Sequence, residues 1–480
     1  MNKLLIFYGI IDKIAIIRAS SLKGVEDLIQ NIVKAQKAFF NTGKTKSYSF
    51  RMRALGSLRK AILSNEDLLY DALASDLNKS KFESYLCEIG IVLDEINFHR
   101  KRLRLWMMKQ PVMPSLGQLP GSCYRSAEPY GVTLIMAPWN YPINLCMEPL
   151  IGAISAGNTA ILKPSGYAPA TSKAIQKIIS EAFPSYYIAV VEGGREENTS
   201  LLKEEFDFIF FTGSPVVGKV VMEAASKHLT PITLELGGKS PVVVDNKANI
   251  KLAARRIAFG KVTNGGQTCV APDYLLIHKS VRDKFVKEYK VELQRLFPNG
   301  DMSDMVTIIS KHHYDRLKVL MADGRIILGG QYDDKRRFIM PTLIDKVDLD
   351  SPIMKEEIFG PILPMITYER LDECIDIIKG FSKPLALYIF SEDNRRINKI
   401  LDSCSFGGGC VNDTIMHLAN PRLPFGGVGA SGMGSYHGRR SFETFSHYRS
   451  IFRQSTKIDI PLRYMPYTDG KFKIIKKVLG

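Results

Sequence analysis

The chain has 480 residues, 45% of them hydrophobic and 24% charged, a balance typical of a soluble globular protein with room for about two or three domains. Lys and Arg number 65 against 49 Asp and Glu, for a formal charge of +16, but the excess is dispersed and forms no RNP-like, zinc-finger or long basic block. A nucleic-acid partner is therefore not expected, and a basic surface that attracts an anionic cofactor is. Seven cysteines, an odd count without a Cys-x-x-Cys pair, argue against a disulfide framework and a zinc site and fit a reducing, cytoplasmic setting. The histidines include no His-Glu-x-x-His, so no metal is expected.

In chain order, residues 1–24 read as an N-terminal extension whose apolar runs are too short to span a bilayer. Apolar residues three and four apart then predict helices over Val25–Phe39, Phe50–Leu63, Asn65–Leu77 and Glu83–Trp106. Pro111, Pro114 and Pro120 end this helical region, and Gly121–Pro129 reads as an extended arm of a hairpin. From Gly131 the rhythm changes. Strands are expected at Val132–Ala137, Thr159–Leu162, Tyr187–Val191, Phe206–Phe211 and Ile232–Leu236, alternating with helices at Leu145–Ala156, Thr171–Phe183 and Pro215–Lys227. A second alternating block starts at Val242–Val244 and takes in a helix at Ile250–Phe259, a strand at Tyr274–His278 and a helix at Val281–Leu296, ending near Val411. Such alternation implies parallel sheets covered on both faces, with ligands at the carboxyl ends of the strands. Two α/β blocks meeting near Glu235 are expected, followed by a Gly-rich loop over Phe425–Gly438 and a short basic amphipathic turn at the C-terminus.

Within this frame, Asn264-Gly-Gly-Gln-Thr-Cys269-Val-Ala-Pro272 sets one cysteine at a bend between a Gly turn and a proline. A thiolate there could attack a carbonyl carbon; a small buried thiol is the other reading. Glu235, at the end of an apolar strand before Gly237-Gly238, is a candidate general base, or a surface or capping residue. Asn140, in the turn Trp139-Asn140-Tyr141-Pro142, offers an amide to an oxyanion or to its own turn. The run Gly213-Ser214-Pro-Val-Val-Gly218-Lys219 resembles a phosphate loop, but Val220 replaces the hydroxyl that magnesium needs. What remains is a helix N-terminus able to hold a pyrophosphate, or strand–helix packing through two glycines. Lys163, ending a strand before Pro164-Ser165, could reach cofactor hydroxyls, and Glu357-Ile-Phe359-Gly-Pro361 could clamp a flat sugar-base unit; each could equally be ordinary surface or loop chemistry.

In this order and wording the motifs resemble the aldehyde dehydrogenase family, from about Leu28 to Tyr464, and its class 3 branch of fatty and aromatic aldehyde dehydrogenases in particular. The resemblance implies two Rossmann-like parallel-sheet domains with a small β oligomerisation arm. Cofactor binding would occupy 25–113 and 131–235, catalysis 236–411, the arm 114–130 and 445–464, an active-site bridging segment 412–444 and a basic tail 465–480. It assigns Cys269 as nucleophile, Glu235 as general base and Asn140 as oxyanion donor. Trp139, Lys163, Gly213, Ser214, Gly218, Glu357 and Phe359 would bind NAD or NADP. The implied reaction oxidises a medium- or long-chain aliphatic or aromatic aldehyde to its acid through a thiohemiacetal and a thioester, in a homodimer without a stable membrane span. A cysteine hydrolase or acyltransferase without redox chemistry, and a non-catalytic binding protein, are the alternatives from other classes. One position departs from the branch: Gly166 stands where a ribose-gripping Glu follows Lys-Pro-Ser, and should leave space for the NADP phosphate.

Overall fold

The computed structural model of the chain describes residues 22–479, so the expected N-terminal extension lies outside the described residues as far as 21. Its last residues instead open the first helix, Leu22–Asn41. The helices Tyr48–Ser64 and Glu66–Leu77 follow within a residue or two of their predicted bounds. The long pattern that begins at Glu83 is not one helix. A turn at Lys81–Ser84 passes into a π-helical turn at Tyr85–Ile89, and only Gly90–Trp106 is regular.

Among the described residues, two mainly parallel sheets carry the core. In the first, Ile232–Leu236, Phe208–Gly213, Val132–Met136, Thr159–Lys163 and Ile188–Val190 lie side by side in that order, all parallel. These strands are Val/Ile/Leu/Phe-rich and almost wholly buried, as a sheet covered on both faces demands. The order turns back at Val132–Met136, so the loops following it and Phe208–Gly213 open a crevice at their carboxyl ends. The Asn140 turn follows the first of these strands and Ser214 the second.

The second sheet runs Arg325–Leu328, Thr342–Asp345, Ile362–Tyr368, Tyr274–His278, Pro241–Val244, Ala386–Phe390, Gly408–Val411, antiparallel only at its first pair. The chain crosses from one sheet to the other between Leu236 and Pro241. The Gly-rich segment does more than bridge the two: Gly432–Met433 returns as an antiparallel edge strand of the first sheet, with Gly432 opposite Glu235. A separate three-stranded antiparallel sheet joins Gln110–Val112, Ser122–Pro129 and Ser446–Arg453. It begins four residues before the expected arm, because Pro111 sits at a sheet edge where a missing N–H costs no ladder bond. The C-terminal turn is a full helix, Asp469–Leu479, with no buried residue, and no helix of the described residues is long and apolar enough to cross a membrane.

Candidate active site

Cys269 stands at the end of a turn that only its own sequence permits. Asn264, Gly265 and Gly266 all have positive φ, and a Cβ on Gly266 would lie 2.4 Å from the Gly360 carbonyl oxygen. The Gln267 side chain ties the turn down, donating to Asn264 O and Thr307 O and accepting from Ile309 N. Cys269 is left half-buried between buried neighbours. Burial, then the Glu357 and Glu235 carboxyls, push its thiol pKa up, while the N–H groups of Cys269 and Val270 pull the other way. The resting group is a thiol and needs a base.

Glu235 is 3% exposed, and neither carboxylate oxygen has a hydrogen-bond partner among the described residues. Burial alone raises its pKa well above the ordinary value. An unpartnered buried carboxyl is costly, and it persists where a ligand or water is to be engaged. Glu357 approaches from the second sheet. Burial first and Asp273 second push its carboxyl up to about 8. A Cβ on Gly237 would lie 2.0 Å from Glu357 Oε2, which is why a glycine follows the Glu235 strand here. Lys239 and Asp273, not singled out from sequence, bring Glu357 into place. Their buried ion pair is 2.5 Å long, Lys239 Nζ donates to Ile353 O and Glu356 O, and Asp273 accepts from Ile358 N.

Asn140 is buried and its Nδ2 donates to Gln267 O at 3.0 Å, so the structure brings this amide against the cysteine turn. An amide nitrogen carries a second N–H, which remains for a further acceptor. Next to it, Tyr141 Oη lies 2.7 Å from Thr268 Oγ1. Trp139 packs edge-on to Phe359, ring centroids 5.3 Å apart, and thereby braces that ring.

A cleft of about 560 Å³ opens at the carboxyl ends of the first sheet, bordered by Lys163, Gly166, Glu192, Gly193 and Arg195. Its chemistry fits a dinucleotide: a polar crevice at a topological switch point. Gly213, Ser214 and Gly218 do not border it; Ser214 caps the helix Pro215–Ser226, its Oγ accepting from Val217 N, and a Cβ on Gly218 would meet Leu236 at 2.7 Å. Lys163 is buried, donates to Pro164 O and Gly193 O, and is lowered to about 8, chiefly by desolvation. The space expected at Gly166 is absent in one direction, since a Cβ there would lie 2.8 Å from Gly193 O. The backbone of residues 193–194 has closed over the position, so a Glu cannot be restored without moving that loop. Of the carboxylates that could substitute, Glu192 borders the cleft, whereas Glu197 caps Gly194 N.

On its other side Cys269 faces an apolar cavity of about 170 Å³ walled by side chains such as Leu86, Ile91, Leu145, Phe259 and Ile415. It leads past Leu86, Glu148 and Leu418 toward an outer chamber of about 350 Å³. The half-buried thiol thus lines the inner end of an apolar tunnel. The sequence motifs did not disclose the tunnel walls, because most of its residues come from the π turn, three helices and the 415–437 segment.

The aldehyde dehydrogenase family model matches residues 13–451. The chain is 51% identical over 454 residues to the 4,4'-diaponeurosporen-aldehyde dehydrogenase of Staphylococcus aureus, covering 94% of this chain and 99% of that protein. It is 44% identical to mouse aldehyde dehydrogenase family 3 member B2 over 92% of this chain and 93% of the relative. Among solved structures, the substrate-bound state of Staphylococcus aureus AldH superposes with a TM-score of 0.92 at 50% identity, covering 94% of this chain and 99% of that one. Two Rossmann-like sheets, a dinucleotide cleft and a cysteine at the head of an apolar tunnel agree with these matches: the chain belongs to the aldehyde dehydrogenase family and is an NAD(P)-dependent enzyme that oxidises aldehydes.

Proposed function

We propose that Cys269, Glu235 and Asn140 carry this oxidation. The observation that supports it most is the juxtaposition of a half-buried thiol with a buried carboxyl whose two oxygens lack partners among the described residues. The Cys269 sulfur attacks the aldehyde carbon, a C–S bond forms, and the carbonyl π pair moves to oxygen. The thiol proton goes to Glu235 directly or through a water. The oxyanion takes hydrogen bonds from the Asn140 amide and the Cys269 N–H, each such donor being worth about 2.7–4 kcal/mol in the transition state. A nicotinamide held by Glu357 and Phe359 would supply the hydride acceptor; with hydride gone from its carbon and the oxyanion pair returned to a C=O bond, the thiohemiacetal on Cys269 becomes a thioester. Glu235 gives up the thiol proton to solvent and, again a carboxylate, removes a proton from water as the water attacks the thioester; the C–S bond breaks, the thiolate sulfur takes up a proton, and the carboxylic acid leaves. Lys163, Ser214 and Gly218 would hold the adenosine and pyrophosphate side of the cofactor; Glu357 and Phe359, braced by Trp139, the nicotinamide side.

The substrate is an apolar aldehyde of medium or long chain, a reading supported by the apolar tunnel walls. NADP is accepted at least comparably with NAD, because Lys163, Lys173 and Arg195 surround the cleft against the single carboxylate Glu192. The enzyme works as a cytoplasmic homodimer joined through its three-stranded arm, where Ile451 and Phe452 are exposed. The test is a panel of alkanals from two to twelve carbons with each cofactor, followed by nicotinamide absorbance. We expect kcat/KM to rise with chain length and the two cofactors to lie within about tenfold of one another. A flat length profile would refute the tunnel assignment. An NAD preference on the order of a hundredfold or more would refute the cofactor assignment. Because Gly166→Glu would strain the 193–194 backbone, Glu192→Gln is the cleaner probe, and it should raise the NADP/NAD ratio.

A further inference from the structure

The Asn140 turn belongs to the first sheet and the Cys269 turn to the second, and an oxyanion site needs them in fixed register. A third segment, Lys79–Ile89, touches both. Lys79 Nζ and Glu88 Oε1 are 2.5 Å apart with both side chains fully buried. Lys79 Nζ also donates to Asn140 O at 3.3 Å and lies 4.5 Å from the centre of the Tyr141 ring. Glu88 Oε2 accepts from Ile143 N at 2.8 Å and Asn144 N at 3.3 Å, closing the start of the helix that follows the turn. From the same segment, Glu83 Oε1 accepts from Asn264 N at 2.7 Å. Asn264 Nδ2 returns to Asn140 O at 2.8 Å, so that carbonyl accepts from Lys79 and Asn264 together. Both of its lone pairs are engaged, and the peptide between Asn140 and Tyr141 cannot rotate.

A buried ion pair is poor value as a source of stability, because desolvation consumes its Coulomb gain and an apolar pair often serves as well. What this pair does supply is position. The π turn at Tyr85–Ile89 rotates Glu88 inward, and such turns cluster at functional sites. Lys79, Glu83 and Glu88 do not border the tunnel or the cofactor cleft, and their charged ends are engaged with protein groups. We propose that the buried Lys79–Glu88 pair is a positioning element of the reaction, fixing the peptide after Asn140 and so aiming the Asn140 amide at the oxyanion. This rests on the oxyanion assignment made above.

The test uses the full-length enzyme with Lys79→Met and Glu88→Gln together. This removes both charges, retains volume and leaves an acceptor for Ile143 N. Rates are normalised to Cys269 titrated with a thiol reagent, so unfolded protein does not count. The double variant should keep its cofactor Kd and aldehyde KM within about threefold and lose on the order of 30-fold in kcat, since small misplacements of a reacting group are costly. In an Asn140→Ala background the same two changes should cost less than about threefold, because coupled residues are non-additive. If the double variant does not fold, Glu88→Gln alone is read in the same way, with on the order of tenfold loss in the native background and none in Asn140→Ala. Equal losses in both backgrounds, a loss confined to KM, or no loss per titrated thiol would overturn the proposal. Native kcat in Asn140→Ala itself would instead remove the oxyanion assignment, and the inference with it.

Discussion

Glu235 makes a thermodynamic claim as well as a chemical one. Its folded-state pKa lies well above the unfolded value of about 4.3, so the unfolded chain loses its proton first as pH rises. Stability contributed by the protonated group is therefore complete below about pH 4.3 and declines as pH climbs toward the folded pKa. Glu235→Gln does not titrate. Its stability relative to the native enzyme should improve by up to about 1.4 kcal/mol per pH unit across that window, measured by urea denaturation at several pH values. A pH-independent difference would mean that the carboxyl is solvated. The Cys269 thiol, raised by burial and two carboxyls, should be alkylated by iodoacetamide in the cofactor-free protein at a rate still rising above pH 9, beyond the usual thiol range near about 8.5. A plateau below pH 8 would contradict this. At this scale Cys269, Glu235 and Asn140 stand out as candidates because each lies in or beside a turn whose glycines or prolines announce it. Lys79, Glu83 and Glu88 were not: a charge at helical spacing looks solvated, and burial of both partners of a pair is a tertiary fact.

Among elements, the edge strand Gly432–Met433 falls inside the expected Gly-rich loop. Two residues carry no periodicity, and its partner is some two hundred residues earlier. It needs glycine twice over, for φ is +141° and a Cβ would lie 2.2 Å from Leu234 O. Gly432→Ala should push the edge strand off the Glu235 strand and lower kcat by about tenfold or more, approaching the roughly hundredfold that a 1 Å misplacement can cost. Gly56→Ala, on a helix where the new Cβ meets no described atom within 4 Å, should leave kcat unchanged. Equal behaviour of the two variants would show that the edge strand does not hold Glu235. The parallel strands of the first sheet, and Tyr274–His278 in the second, match the expected runs within a residue or two, since continuous Val, Ile and Leu runs bounded by turns have few other uses, whereas Thr342–Asp345 and Ile362–Tyr368 were not expected. The short helix Arg195–Leu201 and the π turn were missed because neither is long enough to show a period.

For the whole molecule, alternation of strand and helix gave the two-sheet plan, whereas the tunnel between them could be seen only once distant segments were folded together. If the exposed strand Ser446–Arg453 joins two copies, light scattering should report about twice the mass of one chain, and Ile451→Lys with Phe452→Lys should halve it. A monomeric native enzyme would leave the arm without that role. The central claim, that oxidation passes through an acyl group on Cys269 released by Glu235, is tested most directly by trapping. Glu235→Gln is mixed with NAD(P) and a long-chain alkanal, quenched in acid, digested with trypsin and examined by mass spectrometry. The account predicts a burst of reduced cofactor and the corresponding acyl mass on the tryptic peptide of residues 262–279, which holds Cys269 and no other cysteine. Reduced cofactor formed at the native steady rate, or an acyl group found on a different cysteine, would contradict it.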